Sequence, residues 1–61
     1  MEERRYMNTH ELAAYLRKPV GSVRVETSRK KIPHVKLGRR VIYDRIAIDE
    51  WLASKRVSVG V

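Results

Sequence analysis

Polar and apolar residues follow helical spacing near the start of the chain. Asn8 and Glu11 stand three positions apart, as in a capping box, in which the Asn side chain and the Glu carboxylate each accept a hydrogen bond from the other residue's backbone amide. The apolar residues that follow are Leu12, Ala13, Tyr15 and Leu16. Their spacing is that of one helix face, and it predicts a first helix over Thr9–Leu16.

The next segment favours a second helix over residues 19–30. Pro19 suits the first turn of a helix, because that turn leaves its backbone N–H groups unpaired and proline has none. The residues that would share the buried face are Val20, Val23 and Thr27. A strand over residues 22–27 is the alternative, because this stretch also alternates and contains poor helix formers. The short gap after the first helix favours the helix, since it is the spacing of a helix-turn-helix.

A β-hairpin and a third helix follow. Residues 34–37 and 41–43 are rich in β-forming side chains and predict two strands. The predicted turn between them consists of Gly38, Arg39 and Arg40. Glycine stands where a positive φ is expected. Asp44 is a good N-cap for a third helix that ends near Ser54.

This order of elements predicts a mainly α fold with a small β-hairpin, the winged helix-turn-helix, in which the hairpin is the wing and a helix closes the chain. The domain is expected over residues 6–55, between a flexible N-terminus of residues 1–5 and a flexible tail of residues 56–61. Trp51 is expected to anchor the core, because the chain has no Phe. The other expected core residues are Leu12, Leu16, Val23, Ile32, Val35, Leu37, Ile42, Ile48 and Leu52.

Composition excludes several classes of protein. The 61 residues contain no cysteine, which rules out disulfides, zinc knuckles and thiol chemistry. His10 and His34 stand far apart with no carboxylate at a metal-ligand spacing, so we expect neither a metal nor a cofactor. No apolar run is long enough to span a membrane, and the first residues lack the apolar segment of a signal peptide. A cytoplasmic location is therefore expected.

The distribution of charge indicates a polyanionic partner. The formal net charge is +7, and residues 17–40 hold nine Lys and Arg but one acid. Residues 41–52 hold three acids and one Arg. A block of one sign at this density exceeds what solubility requires and favours nucleic acid or an anionic membrane surface. The membrane alternative is the weaker one, because no helix divides into a basic and an aromatic face.

No group of residues has the pattern of a catalytic site. The serines lack a glycine elbow, and the chain has no phosphate-binding loop. Asp49 and Glu50 are adjacent, so on a helix they would point in different directions and form a poor acid–base pair. We therefore expect no enzymatic activity.

The second helix carries side chains suited to duplex DNA. In a helix-turn-helix this helix enters the major groove, and its N-terminal part meets the base edges. Arg24 is the best candidate for a bidentate contact to guanine, and Ser22 and Ser28 suit short hydrogen bonds to bases or phosphates. Val25 and Arg29 complete the surface that this helix would present. An ordinary exposed helix residue is the alternative for Arg24.

The hairpin offers a second basic surface. Arg39 and Arg40 lie on a turn between apolar strands, from which they can reach a DNA backbone or a minor groove. A solvated turn is the alternative. Lys30, Lys31 and Lys36 would be phosphate contacts that add affinity without sequence information, and Lys36 is the best placed of the three.

Four segments of the chain, residues 8–16, 22–23, 31–40 and 48–52, follow a known pattern in the expected order. The specific part is Ile-Pro-x-Val-Lys-Leu-Gly-Arg-Arg followed by Trp-Leu. Over residues 6–52 the chain resembles the excisionase-type winged helix-turn-helix domains, which belong to the MerR-like group and include the AlpA-type phage regulators.

The resemblance implies that the second helix lies in the major groove and that Lys36, Gly38, Arg39 and Arg40 contact the adjacent minor groove or backbone. It also implies an excision factor that works with an integrase or with adjacent copies of itself, or else a transcriptional regulator of a phage or mobile element. The sequence leaves both roles open, together with the target site and the oligomeric state. An adaptor that binds an acidic protein is the alternative of another class.

Overall fold

The structure is a computed structural model that describes residues 5–57. Its elements in chain order are β1 (Tyr6–Met7), α1 (Thr9–Leu16), α2 (Val20–Ser28), β2 (Val35–Leu37), β3 (Arg40–Asp44) and α3 (Arg45–Ser54). This confirms the mainly α fold with a β-hairpin. Most of the two ends predicted to be flexible lies outside the described residues.

Helix α1 has the predicted bounds and the predicted cap. The amide of Glu11 donates to Asn8 Oδ1 at 2.7 Å, and the amide of Asn8 donates to Glu11 Oε1 at 2.8 Å. The capping box therefore satisfies two of the backbone donors that open the helix. Leu12 and Ala13 are the buried residues of this helix.

Helix α2 is confirmed, and the strand alternative for residues 22–27 is wrong. The helix is shorter than predicted at both ends. Pro19 is its N-cap, with extended backbone angles of φ −62° and ψ 144°, rather than a residue of its first turn. Val23 and Thr27 are buried, one helical turn apart.

The hairpin is confirmed, and a third strand joins it. In the antiparallel sheet the order is β1-β3-β2, so the short strand β1, which sequence analysis did not predict, pairs with β3. The turn holds two residues, since Leu37 pairs with Arg40 across it. Gly38 has φ +60°, the positive angle expected there. The tip is therefore Gly38 and Arg39, and the predicted placement of Arg40 in the turn is corrected: Arg40 begins β3.

The core differs from the predicted one in its largest member. Tyr43 is 1% exposed, whereas Trp51, the expected anchor, is only partly buried. Along β3, alternate side chains face opposite sides of the sheet, and Tyr43 faces inward. Ile42 and its partner Val35 therefore share the outer face. The buried core consists of Met7, Leu12, Ala13, Val23, Ile32, Tyr43 and Ile48.

Three further residues expected in the core are exposed. Val35, Leu37 and Leu52 expose 41%, 57% and 37% of their surface. Val35 and Leu37 lie two positions apart on β2 and so project from the same face of the hairpin, the one turned away from Tyr43. The apolar character of β2 does not, therefore, make it a core strand.

A buried hydrogen bond joins α2 to the sheet. The hydroxyl groups of Thr27 and Tyr43 lie 2.7 Å apart. Thr27 is the buried polar residue within residues 5–57, and none of their buried side-chain nitrogen or oxygen atoms lacks a partner. The bond therefore satisfies both hydroxyls where water is excluded.

Asp44 links the N-terminal segment to the start of α3. Its carboxylate accepts hydrogen bonds from Nε of Arg5 at 3.3 Å and from the terminal guanidinium nitrogen at 3.2 Å, and it also caps the helix by accepting from the amide of Ile46 at 3.0 Å. The hydrogen bonds from Arg5 are the main cause that lowers the pKa of Asp44, and the amides of Ile46 and Ala47 add to this effect.

Thr27→Val is expected to lower the free energy of unfolding by about 1–3 kcal/mol, because it leaves the buried Tyr43 hydroxyl without a partner. The double variant Thr27→Val/Tyr43→Phe removes both hydroxyls and should recover most of that loss. Urea unfolding of the wild type, both single variants and the double variant measures the coupling. Losses that simply add would contradict the role of the bond.

Asp44→Asn keeps a good N-cap but removes the charge that pairs with Arg5. Because folding lowers the pKa of Asp44, its charge stabilises the fold above the unfolded pKa of about 3.9, and this stabilisation is lost as the pH falls through the lower folded value. At about pH 6 the wild type should therefore have a higher Tm than Asp44→Asn, and this difference in Tm should shrink below about pH 3. Thermal unfolding followed by circular dichroism measures this. A Tm difference that does not change with pH would contradict it.

Candidate nucleic-acid interface

Helix α2 presents a polar and basic surface on the side opposite its buried residues. Val23 and Thr27 face the core, and the exposed residues of the helix and its C-cap include Arg24, Val25, Ser28 and Arg29. Of the five predicted contact residues of this helix, four are thus exposed and Ser22 is partly buried.

These five residues line two hollows on either side of α2. Arg24 and Ser28 line a cleft between α2 and the hairpin, whose opposite wall includes Lys36. Ser22, Val25 and Arg29 line a separate groove along the other flank of α2. The structure therefore brings Lys36 to Arg24 and Ser28, and it leaves the other three on the side away from the hairpin.

The hydroxyl proton of Ser28 takes part in a hydrogen bond within α2. Its Oγ donates to the carbonyl of Val25 at 2.8 Å, a bond within the last turn of α2. In this rotamer the hydroxyl can still accept a hydrogen bond but cannot donate one to a phosphate or to a base acceptor. Of the two candidates on the α2 side of the cleft, Arg24 can thus donate hydrogen bonds to DNA and Ser28 cannot.

The two faces of the hairpin carry different basic residues. Lys36 is directly opposite Val41, so both project toward the side of Tyr43 and α2. Arg40 is directly opposite Leu37, so it projects from the outer face. Gly38 and Arg39 form the tip between them, and both are exposed. Of the four predicted wing contacts, one thus lies in the cleft (Lys36), two lie at the tip (Gly38 and Arg39), and one lies on the outer face (Arg40).

The cleft contains residues that the predicted site does not include. Its volume is about 440 Å³, and Thr9, Lys30 and His34 also line it. The Nδ1 of His34 donates to the carbonyl of Ile32 at 2.7 Å, which holds the imidazole at the cleft. The basic run of the sequence indicated Lys30 as a phosphate contact. Thr9 could not be identified in this way, because its place in the cleft depends on how α1 packs beside the hairpin.

The exposed cations of the candidate surface form no ion pair, and among residues 5–57 the same is true of Arg17, Lys31, Lys55 and Arg56. Arg5, Lys18 and Arg45 form ion pairs with Asp44, Glu26 and Asp49 respectively. In the described part of the chain, no such pair is made by the exposed cations of α2, its C-terminal end and the hairpin: Arg24, Arg29, Lys30, Lys36, Arg39 and Arg40. The Lys18–Glu26 pair also neutralises the acid that lies within the basic block. The surface is therefore free to bind an anion.

Residues 5–57 contain no group of three or more His, Cys, Asp or Glu side chains arranged to hold a metal ion. None of their helices has the length and apolar character needed to cross a membrane.

Comparison with known proteins identifies a family. Residues 6–56 match the family described as a helix-turn-helix domain. No curated protein matches the chain, and no solved structure does. The matched region runs from β1 to just beyond α3 and includes both parts of the candidate surface.

Two glycines on this surface should respond oppositely to alanine. Neither Cβ would meet another atom within 4 Å, so backbone conformation decides the result. Gly21→Ala, inside α2, should raise the free energy of unfolding by about 0.5–1 kcal/mol, because alanine is the better helix former. Gly38→Ala should lower it by roughly 1–2 kcal/mol, because φ there is +60°. Urea unfolding measures both. Changes of the same sign would show that the turn is not constrained as described.

Proposed function

The chain belongs to the helix-turn-helix domain family, a family of DNA-binding domains, and from this we propose that it binds duplex DNA through α2 and the hairpin together. Helix α2 lies in the major groove, and the hairpin contacts the adjacent backbone or minor groove. Arg24 reads a base edge from the side of α2 that faces the hairpin. Lys36, Arg39 and Arg40 contact the sugar-phosphate backbone.

The observation that carries the proposal is the family match over residues 6–56, which include α2 and the hairpin with their exposed cations. Among the described residues, the carboxylates of Glu26, Asp44 and Asp49 pair with cations outside these two elements, while the cations of α2 and the hairpin tip pair with none. Exposed, unpaired Lys and Arg on α2 and the hairpin create a positive potential that attracts a polyanion.

The dimensions of α2 support its place in the major groove. A helix with its side chains is roughly 10–12 Å across, and the major groove of B-DNA is about 12 Å wide. Gly21 lies on the exposed side of α2, and the space where a Cβ would stand is open. A backbone phosphate or a base edge can therefore approach the helix closely at this position.

We further propose that the protein acts as a recombination directionality factor, which binds DNA without catalysis and without a cofactor in the cytoplasm. One short module of this kind buries roughly 600–1,000 Å² on DNA, so binding by one copy should be weak. An integrase or adjacent copies on the DNA would supply the remaining affinity. The support for this finer role is the sequence pattern of the segments around the hairpin and Trp51. Transcriptional control of a mobile element is the alternative role.

Deleting the coding sequence from cells that carry it separates these two roles. Loss of excision of a resident element with unchanged transcript levels would support the recombination role. Altered transcripts with normal excision would support the regulatory role and overturn the first.

Arg39→Ala/Arg40→Ala should weaken affinity for every duplex sequence and flatten the dependence of log K on log salt concentration, because it removes backbone contacts. Arg24→Ala should instead relax base preference, at about 1–3 kcal/mol for the lost contact. Selection from a library of random duplexes, followed by salt titrations of binding, measures both effects.

A matched control is Lys55→Ala/Arg56→Ala, which removes the same charge from the end of α3. It should retain the salt dependence of the wild type. If it weakens binding as much as the hairpin variant does, the protein binds DNA through its net charge alone. If no variant binds differently and an acidic protein competes equally with DNA, the adaptor alternative replaces the proposal.

A further inference from the structure

The two helices of the helix-turn-helix end in the same way. The amide of Lys18 donates to the carbonyl of Ala13 at 2.9 Å, and the amide of Lys31 donates to the carbonyl of Glu26 at the same distance. Together with the adjacent bonds, Arg17 to Ala14 and Lys30 to Thr27, these are Schellman motifs. In each motif the penultimate residue, Arg17 or Lys30, has a left-handed backbone conformation.

Basic residues occupy the positions where glycine is usual. Arg17 has φ +56° and Lys30 has φ +58°. Glycine dominates this position in natural helices, because any Cβ there crowds the backbone. A cation near a helix C-terminus interacts favourably with the helix dipole, but it does so equally well one residue earlier without left-handed geometry. Strain of this kind points to a role for the side chain.

Lys30 and Arg17 differ in what lies beside them. Lys30 lines the cleft between α2 and the hairpin, and Arg17 does not. The other cations of the cleft are Arg24 and Lys36, and no carboxylate lines it. The buried hydroxyl pair of Thr27 and Tyr43 lies in its wall.

The charged donors in the cleft are the three cations. The Nδ1 of His34 donates to the carbonyl of Ile32, so this nitrogen does not face an anion in the cleft. With Arg24 directed to a base edge, the ammonium groups of Lys30, at the end of α2, and Lys36, on β2, suit a tetrahedral anion with several exposed oxygens, as a phosphate has. The cleft, at about 440 Å³, has room for such a group.

We infer that this cleft seats one phosphate of the DNA backbone, and that Lys30 holds it from the left-handed position at the end of α2. The inference rests on the proposed function, which it deepens by naming a ligand group and its site. It also explains why glycine does not stand at position 30, since glycine would remove the strain together with the ammonium group.

Three variants test the inference. Lys30→Gly and Arg17→Gly remove the same charge and relieve the same backbone strain, so each should raise Tm by roughly 2–6 °C. Lys30→Gly alone should weaken duplex binding, on the order of fivefold, and reduce the slope of log K against log salt concentration by about 0.9, the value for one phosphate contact. Lys30→Arg retains the charge and should keep the slope of the wild type.

The outcomes separate this inference from the proposed function. If the wild type binds duplex DNA with a clear salt dependence while Lys30→Gly and Arg17→Gly have equal slopes, the inference fails and DNA binding stands. If the wild type does not bind duplex DNA at moderate salt, the proposed function fails first. A fall in Tm for Lys30→Gly would show that the left-handed backbone stores no strain and would also overturn the inference.

A last arm uses free phosphate ion as a competitor of the backbone phosphate. The duplex titration of the wild type is repeated with sodium phosphate in place of sodium chloride at equal ionic strength. Weaker duplex binding in phosphate for the wild type, but not for Lys30→Gly, is the expected result, because the free ion and a backbone phosphate compete for the cleft. Equal effects of phosphate on the wild type and on Lys30→Gly would show that no backbone phosphate lies in the cleft and would overturn the inference.

Discussion

The buried hydrogen bond between Thr27 and Tyr43 fixes where helix α2 lies relative to the hairpin. Helix α2 is a weak helix in itself, because its nine residues include glycine, serine, threonine and three valines. Its position depends on what it touches, namely the core through Val23, the α1–α2 turn through the Lys18–Glu26 ion pair, and the sheet through Thr27. Since Tyr43 stands on the central strand of the sheet, the bond sets the separation between α2 and the hairpin, and with it the width of the cleft.

The arrangement of charges follows from the same geometry. In the described part of the chain, Asp44 and Asp49 sit at or on α3, where they cap the helix, pair with Arg5 and Arg45, and accept from the hydroxyl of Tyr15. Glu26, the acid on α2, pairs with Lys18. The unpaired cations of α2 and the hairpin repel one another in the free protein, a small destabilisation that a polyanion would relieve. The paired charges thus stabilise the fold, and the unpaired cations are available for binding.

Local signals in the sequence were enough to predict much of the fold. Asn8 and Glu11 defined the start of α1, Asp44 defined the start of α3, and Gly38 marked the turn, because each acts through its own neighbours. Strand β1 could not be predicted in this way, since its two residues become a strand only by pairing with β3.

The ends of α2 and the place of Arg40 were local errors, whereas the errors in the core involve contacts between distant segments. The inward face of β3 could not be assigned because Val41, Ile42 and Tyr43 are all apolar, and the partner that selects Tyr43 is Thr27, sixteen positions away. For the candidate site, sequence identified the exposed residues of α2 and the hairpin. It could not show that Lys36 faces α2 while Arg40 faces away, since that depends on the register of β2 against β3. The cleft itself exists only in the folded chain.

Amide NMR spectra of labelled protein, titrated with a short random-sequence duplex at moderate salt, test the central claim that α2 and the hairpin form one DNA-binding surface. A protein with a net charge of +7 binds DNA without specificity, so binding alone does not test this claim. The distribution of the amide chemical-shift changes along the chain does. The account predicts that the largest shifts gather in residues 21–30 and 36–40, with α3 little changed. Shifts of similar size on all basic residues, or a cluster on α3, would contradict it.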